Sequence, residues 1–317
     1  MKVLIPEDIA PSGKDYLLER GYQLIVGVPV DTESLKAAVR GCDAILCRNA
    51  SYPREVIEAG DRLKVIARHG VGFDNIDISA AAELGIWVVN GPVSNNIAVA
   101  EYTVALIAML SCQIQQVDRQ TRLGNWTCRQ HITRKEMEGA VLGIIGYGGI
   151  GRLVAKKAMD GFNMRVTVFD AAPLQHVAAG VNVSLSMAEL MAESDFVSIH
   201  LPLLPQTRNM INRETLGQMK KSAYLINCSR GEICNIHDLC DALKTRVIAG
   251  AALDVYPEEP LALTSPLFEL DNLIMSQHFA GISTQSLERM SLMAAIGVDE
   301  VLTGKTPSYP VNNPQIL

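Results

Sequence analysis

Apolar residues recur in two rhythms along the chain. Short aliphatic or β-branched runs, too brief for helices, alternate with helix-length amphipathic segments from the first residue onward. Val3–Ile5, Gln23–Val26, Ala44–Cys47, Lys64–Ala67 and Trp87–Val89 predict five strands of a first sheet. From Asn95 to about Leu123 the apolar positions Ala98, Tyr102, Ala105 and Met109 fall at three- and four-residue spacing, which predicts one long helix. A second strand series follows at Val141–Ile145, Arg165–Phe169, Phe196–His200, Ala223–Asn227, Val247–Ala251 and Leu273–Ser276. A helical pattern then returns from Ser286 to Leu302, and a Pro- and Asn-rich tail too short for a domain ends the chain.

Strands alternating with helices predict α/β layers built on parallel sheets. Six strands in the second series suit a doubly wound sheet. If the last helix packs back on the first sheet, the first domain is discontinuous (1–94 and 285–317) and encloses an inserted domain (95–284). The fold class expected is therefore α/β, with two Rossmann-like or flavodoxin-like domains and a cleft between them.

Composition narrows the function. At 317 residues, 48% hydrophobic and 20% charged, the chain is globular and long enough for two cores. A net charge of -6, with scattered Lys and Arg, offers no basic field for nucleic acid. The start turns acidic before it could form a signal peptide, and the apolar stretch Ile97–Cys112 is interrupted by Glu101 and is shorter than the roughly 20 residues of a membrane span. No membrane partner and a cytoplasmic location are expected. The 7 cysteines read as reduced thiols. Cys228, Cys234, His237 and Cys240 imitate a zinc-ligand spacing, but the last three fall on one short helical stretch without a second ligand pair, so no metal is expected.

The first chemical motif is Gly146-Tyr-Gly148-Gly149-Ile150-Gly151, at the end of a strand and the start of a helix. In that context Gly146 permits a tight turn, Gly148 lets backbone approach a pyrophosphate, and Gly151 allows close helix packing. Asp170 ends the next strand, where a carboxylate accepts hydrogen bonds from ribose hydroxyls and repels a 2′-phosphate. No Arg follows it in Ala171-Ala172-Pro173, which favours NAD over NADP.

Three later segments, Asn227-Cys-Ser-Arg230-Gly231, Gly250 to Pro260 and Gln277-His278 to Thr284, resemble motifs of the D-isomer-specific 2-hydroxyacid dehydrogenases. Gly70-Val71-Gly72 to Asp77 and Asn95 to Glu101 resemble that family's substrate loop and interdomain helix. The likeness covers nearly the whole chain and is strongest to phosphoglycerate dehydrogenases without an appended regulatory domain. It implies Arg230 as the carboxylate and carbonyl anchor, His278 as the acid and base, and Glu259 as the group that orients the imidazole; Glu258 reads as a solvated charge. It also implies cofactor contacts from Gly149, Ile150, Pro202, Thr207, Cys228, Ser229, Asp254, His278 and Gly281, and substrate contacts from Val71, Gly72, Asn95, Arg230 and His278. Two departures stand out: Gly149 replaces a frequent basic or polar side chain, and Gln277 replaces a Pro before the histidine.

Arg48 and Arg68 follow neighbouring strands and match positions that hold the substrate phosphate in phosphoglycerate dehydrogenases, with Arg129 and Arg134 as further candidates. The resemblance implies a homodimer that interconverts a D-2-hydroxy acid and its 2-oxo acid, with 3-phosphoglycerate and phosphohydroxypyruvate as the expected pair. Glyoxylate or hydroxypyruvate reduction is the rival activity, and a dinucleotide-sensing corepressor is the rival without catalysis.

Overall fold

The computed structural model describes residues 1–314. The chain divides into two compact units, one comprising Met1–Asn96 with the residues from Ile282 onward, the other Ile97–Gly281.

In the first unit β1 (Lys2–Ile5), β2 (Gln23–Val26), β3 (Ala44–Cys47), β4 (Val65–Arg68) and β5 (Trp87–Val89) form a parallel sheet in the order β2-β1-β3-β4-β5. β3 is buried along its whole length because helices cover both faces of the sheet, and its sequence is accordingly apolar throughout. Leu4, Ile45 and Ile66 face Val56 and Ile57. On the other side Val3, Ile5, Leu46 and Ala67 meet Ala294, Ala295 and Val298 of the Thr284–Leu302 helix. That late helix belongs to the first core, which is why the unit is discontinuous. A reciprocal cap starts it: Ser283 Oγ accepts from Ser286 N–H at 3.1 Å, and Ser286 Oγ accepts from Ser283 N–H at 2.8 Å.

The second unit holds seven parallel strands: β6 (Val141–Ile145), β7 (Arg165–Phe169), β8 (Val181–Val183), β9 (Phe196–Ile199), β10 (Tyr224–Asn227), β11 (Gly250–Leu253) and β12 (Leu273–Met275). Their order is β12-β11-β10-β9-β6-β7-β8. From β6 the chain winds outward to β8, then returns to β9 on the other side, so the direction reverses between β6 and β9. Crevices at such reversals, beyond the carboxyl ends of the strands, are where open α/β sheets bind nucleotides. Gly146, Asp170, Pro202, Cys228, Asp254 and His278 all follow carboxyl ends of strands in this sheet.

Three expectations change. β8 is an additional edge strand with a mostly exposed pattern that carries little apolar signal. β11 begins at Gly250, three residues later than the β-branched Val247 and Ile248 suggest, because the small run Gly-Ala-Ala-Leu fits fully buried between β10 and β12. The long helix breaks at Gln113, which takes φ 53, into Asn96–Cys112 and Ile114–Arg122 bent by 59°. The Gln113 amide compensates by donating to Leu110 O at 2.9 Å and to the Tyr224 hydroxyl at 2.8 Å. Among the described residues no single helix is long and apolar enough to cross a membrane. Val99, Leu106, Ile107 and Leu110 of Asn96–Cys112 pack into the core around β6 and β7.

Candidate active site

The glycine-rich turn after β6 shows three different reasons for its glycines. Gly146 has φ 95, and a Cβ there would lie 2.5 Å from the His200 carbonyl oxygen. At Gly151 a Cβ would lie 2.2 Å from the Gly146 carbonyl oxygen, so only glycine lets the helix sit this close to the turn. Gly148 has no neighbour within 4 Å of where its Cβ would be, which leaves open space beside the backbone. Gly148 also caps the Gly149–Phe162 helix without a side-chain hydrogen bond. The first N–H groups of that helix are therefore available to an anion, with the helix dipole in support. Ile150 packs on the core below.

Asp170 Oδ2 accepts from Tyr147 N–H at 2.9 Å and Oδ1 from Ala172 N–H at 3.0 Å. Those bonds fix the carboxylate beside the glycine turn, and each oxygen keeps a lone pair for a ribose hydroxyl. Past β9, Thr207 Oγ1 donates to Pro202 O at 2.8 Å and accepts from Leu204 N–H at 2.8 Å. Its hydroxyl thus shapes the loop that carries Pro202. Open space, uncapped N–H groups and a placed carboxylate fit a dinucleotide.

The arginine turn is built by Asn227, which is fully buried at the end of β10. Its Oδ1 accepts from Ser229 N–H at 3.0 Å and Ser229 Oγ at 2.7 Å, and its Nδ2 donates to Arg230 O at 2.9 Å. Arg230 Nη1 donates to Ser229 O at 2.8 Å. Cys228, beneath the turn, has its thiol pushed up to about 12 by burial, with the Asp254 charge acting the same way.

Glu259 and His278 meet directly, with His278 Nδ1 2.8 Å from Glu259 Oε2. The second carboxylate oxygen accepts from Tyr256 N–H at 2.9 Å. Burial pushes the Glu259 carboxyl upward, but the hydrogen bonds from His278 and Tyr256 and the nearby Arg230 charge outweigh it and hold the carboxyl below its ordinary range. Arg230, Glu259 and His278 are thereby brought into one electrostatic neighbourhood.

The histidine loop is held by Asp254, 1% exposed. Its carboxylate accepts from Ser276 Oγ at 2.5 Å, Phe279 N–H at 2.7 Å and Ala280 N–H at 2.8 Å, and its carbonyl accepts from His278 N–H at 2.6 Å. His278 sits at φ 57, a conformation unusual for a residue with a Cβ, and these four bonds over-determine it. Gly281 closes the same loop. Asn227 and Ser276 were not singled out from the sequence; the signal available was a buried polar side chain at a strand end, which must find partners.

In the first unit, register pairs Cys47 with Arg68, so Arg48 and Arg68 leave one edge of the sheet together. Arg48 Nη1 donates to Asp8 O at 2.7 Å and Arg68 Nη1 to His69 O at 2.5 Å. Both guanidinium charges act on His69, whose imidazole is lowered to about 4 by burial first and by Arg48 and Arg68 next. Gly70 O accepts from Gly91 N–H at 2.9 Å and Val71 O from Asn90 Nδ2 at 2.6 Å. The loop carbonyls are tied inward, while among the described residues the Val71 and Gly72 N–H groups donate no hydrogen bond. Asn95 Oδ1 is buried without a partner among the described residues. In the second unit, Arg129 lies in the short turn Trp126–Gln130 and Arg134 is 3.8 Å from Glu136, both on an exposed segment.

Cys234 and Cys240 point into the core of the second unit, whereas His237 is exposed. Among the described residues no group of three His, Cys, Asp or Glu is arranged to hold a metal.

Fold and site together define an α/β protein whose second sheet carries, after the carboxyl ends of its strands, a glycine turn fit for a dinucleotide and a paired carboxylate and imidazole. Residues 104–280 match the family model described as D-isomer specific 2-hydroxyacid dehydrogenase, NAD binding domain. The chain belongs to the D-isomer specific 2-hydroxyacid dehydrogenase family, and this segment is its NAD-binding domain. It is 36% identical over its full length to a D-3-phosphoglycerate dehydrogenase of Methanocaldococcus jannaschii, of which it spans 60%. It is 38% identical over 90% of its length to a glyoxylate reductase of Thermofilum pendens, covering 85% of that protein. A crystal structure of a protein from Thermus thermophilus superposes with a TM-score of 0.91 at 33% identity, covering 98% of this chain and all of the other.

Proposed function

We propose that the protein interconverts a D-2-hydroxy acid and its 2-oxo acid, and that the acid is phosphorylated, with 3-phosphoglycerate and phosphohydroxypyruvate as the pair. The observation that carries the catalytic reading is the His278 Nδ1 to Glu259 Oε2 contact of 2.8 Å. With Nδ1–H held by a carboxylate, Nε2 is the nitrogen left to exchange a proton. Bound NAD supplies the hydride acceptor in oxidation, and its reduced form supplies the donor in the reverse direction. His278 Nε2 takes the hydroxyl proton in oxidation and returns it to the carbonyl oxygen in reduction, while Glu259 steadies the imidazolium. Arg230 binds the substrate carboxylate and polarises its carbonyl through a planar fork of donors. In the first unit the Val71 and Gly72 N–H groups, which donate no hydrogen bond among the described residues, suit a carboxylate.

The phosphate reading rests on Arg48 and Arg68, whose charges converge on His69. A pair of guanidinium groups suits a phosphate dianion. The 2-oxo acid glyoxylate remains the alternative, supported by the similarity to a glyoxylate reductase. We also propose a homodimer joined through the segment from Asn96 to Leu123 and the turn after it, which leaves Ile114, Leu123 and Trp126 49%, 70% and 73% exposed in one copy. The assay that decides the substrate is NADH oxidation against 2-oxo acids with and without a phosphate. Faster turnover of phosphohydroxypyruvate than of hydroxypyruvate or glyoxylate supports the phosphate reading, and the reverse order replaces it.

A further inference from the structure

Asp170 occupies a site already built for an anion. Its two oxygens hold the Tyr147 and Ala172 N–H groups at 2.9 and 3.0 Å. Arg152, on the first turn of the helix that follows the glycine turn, stacks its guanidinium over the Tyr147 ring at 4.6 Å from the centroid. Nη1 of Arg152 donates to the carbonyl of His176, in the loop that begins at Asp170. One residue thus ties together the two segments that flank the ribose carboxylate. A guanidinium has five N–H donors, and among the described residues only the bond to His176 engages those of Arg152.

We propose that Arg152 is a latent 2′-phosphate-binding residue of the adenosine pocket, and that the carboxylate of Asp170 alone keeps this pocket selective for NAD. The proposal rests on the reading of Asp170 as the ribose ligand. While Asp170 is present, a 2′-phosphate meets a negative charge that already holds both backbone donors. Without that carboxylate, Tyr147 N–H, Ala172 N–H and the Arg152 fork remain. Together they are the donor set that binds a phosphate dianion, and arginine can bind it through two parallel bonds.

The test measures NADH and NADPH binding by nicotinamide fluorescence to the full chain. It compares wild type, Asp170→Ser, Arg152→Gln and the double variant, with Asp170→Asn as a second replacement. NADH binding by wild type reports on the dinucleotide site itself, so a failure there is distinguishable from a failure of the specificity claim. Asp170→Ser should bind NADPH about tenfold more tightly than wild type does, and adding Arg152→Gln should remove that gain while changing NADH affinity much less. A merely structural role for Arg152 would weaken both nucleotides together. The proposal is overturned if the gain persists without Arg152, if the double variant loses both nucleotides equally, or if NADH-binding Asp170→Ser and Asp170→Asn show no NADPH gain.

Discussion

His278 Nδ1 lies 2.8 Å from Glu259 Oε2, and the other oxygen of that carboxylate is held by the Tyr256 N–H. Both oxygens are fixed, so the carboxylate can neither rotate away nor present a different face to the imidazole. Glu259→Gln should keep the shape and remove the charge that steadies imidazolium. We expect kcat/KM to fall about 10- to 100-fold, with the low-pH limb of the oxidation profile displaced to lower pH. An unshifted profile would show that Glu259 does not act through His278.

The same carboxyl makes the fold sensitive to acid. Glu259 is depressed below its ordinary value of 4.5, so its contribution is present above that pH and is lost as pH falls through the lower folded value. Urea unfolding across pH 3 to 6, roughly the carboxylate range, should show an acid loss in wild type that is smaller in Glu259→Gln. Equal acid loss in both would place the sensitivity elsewhere.

Asp254 accepts three hydrogen bonds on a buried carboxylate, all from the loop that presents His278. Asp254→Ala strands two N–H groups and a hydroxyl, and should cost about 2–4 kcal/mol in denaturant unfolding together with a large loss of kcat. Ser276→Ala removes one of the three bonds and should cost about 1 kcal/mol. Comparable, small effects from both would mean that the loop is held by other contacts.

Gly148 and Gly151 should separate binding from folding. A methyl at Gly148 enters open space, so Gly148→Ala should fold normally and weaken NADH about tenfold or more by obstructing the pyrophosphate. At Gly151 a methyl collides with the Gly146 carbonyl, so Gly151→Ala should lower thermal stability as well as binding. Thermal unfolding and NADH titration of the two variants check the contrast, which fails if both behave alike.

Much of this site was legible in the sequence because its chemistry is tied to strand ends. All five strands of the first sheet lie within a residue of where apolar runs place them, and Gly146, Asp170, Arg230 and His278 follow strands of the second sheet as their sequence positions suggest, whereas Glu259 lies in a loop and was picked out only by the family resemblance. Less legible was anything decided by a partner distant in sequence. β8 is three residues of Val-Asn-Val at an edge, and only its pairing with β7 makes it a strand. The break at Gln113 has no Gly or Pro to announce it and depends on the Tyr224 hydroxyl 111 residues away. The polar bonds of Asn227 and Asp254 likewise depend on which atoms a buried side chain meets, which residue type alone does not specify.

Arg68 tests the substrate. Arg68→Ala should remove about 1.5–3 kcal/mol of ionic hydrogen bonding, a loss of roughly ten- to a hundredfold in kcat/KM for phosphohydroxypyruvate. Hydroxypyruvate, which lacks the phosphate, should lose far less. Equal losses would indicate general damage and would remove the phosphate assignment while leaving the reaction class intact.

If the Arg230, Glu259 and His278 group performs stereospecific hydride exchange on a 2-hydroxy acid with NAD, activity must depend both on the hand of the acid and on the imidazole. The most direct measurement is NAD reduction by the D and L enantiomers of a panel of 2-hydroxy acids, phosphorylated and not, for wild type and His278→Gln. Turnover is expected for D acids only, and should be abolished or reduced by several orders of magnitude in His278→Gln while NADH still binds. Turnover of L acids, or full activity without the imidazole, would contradict it.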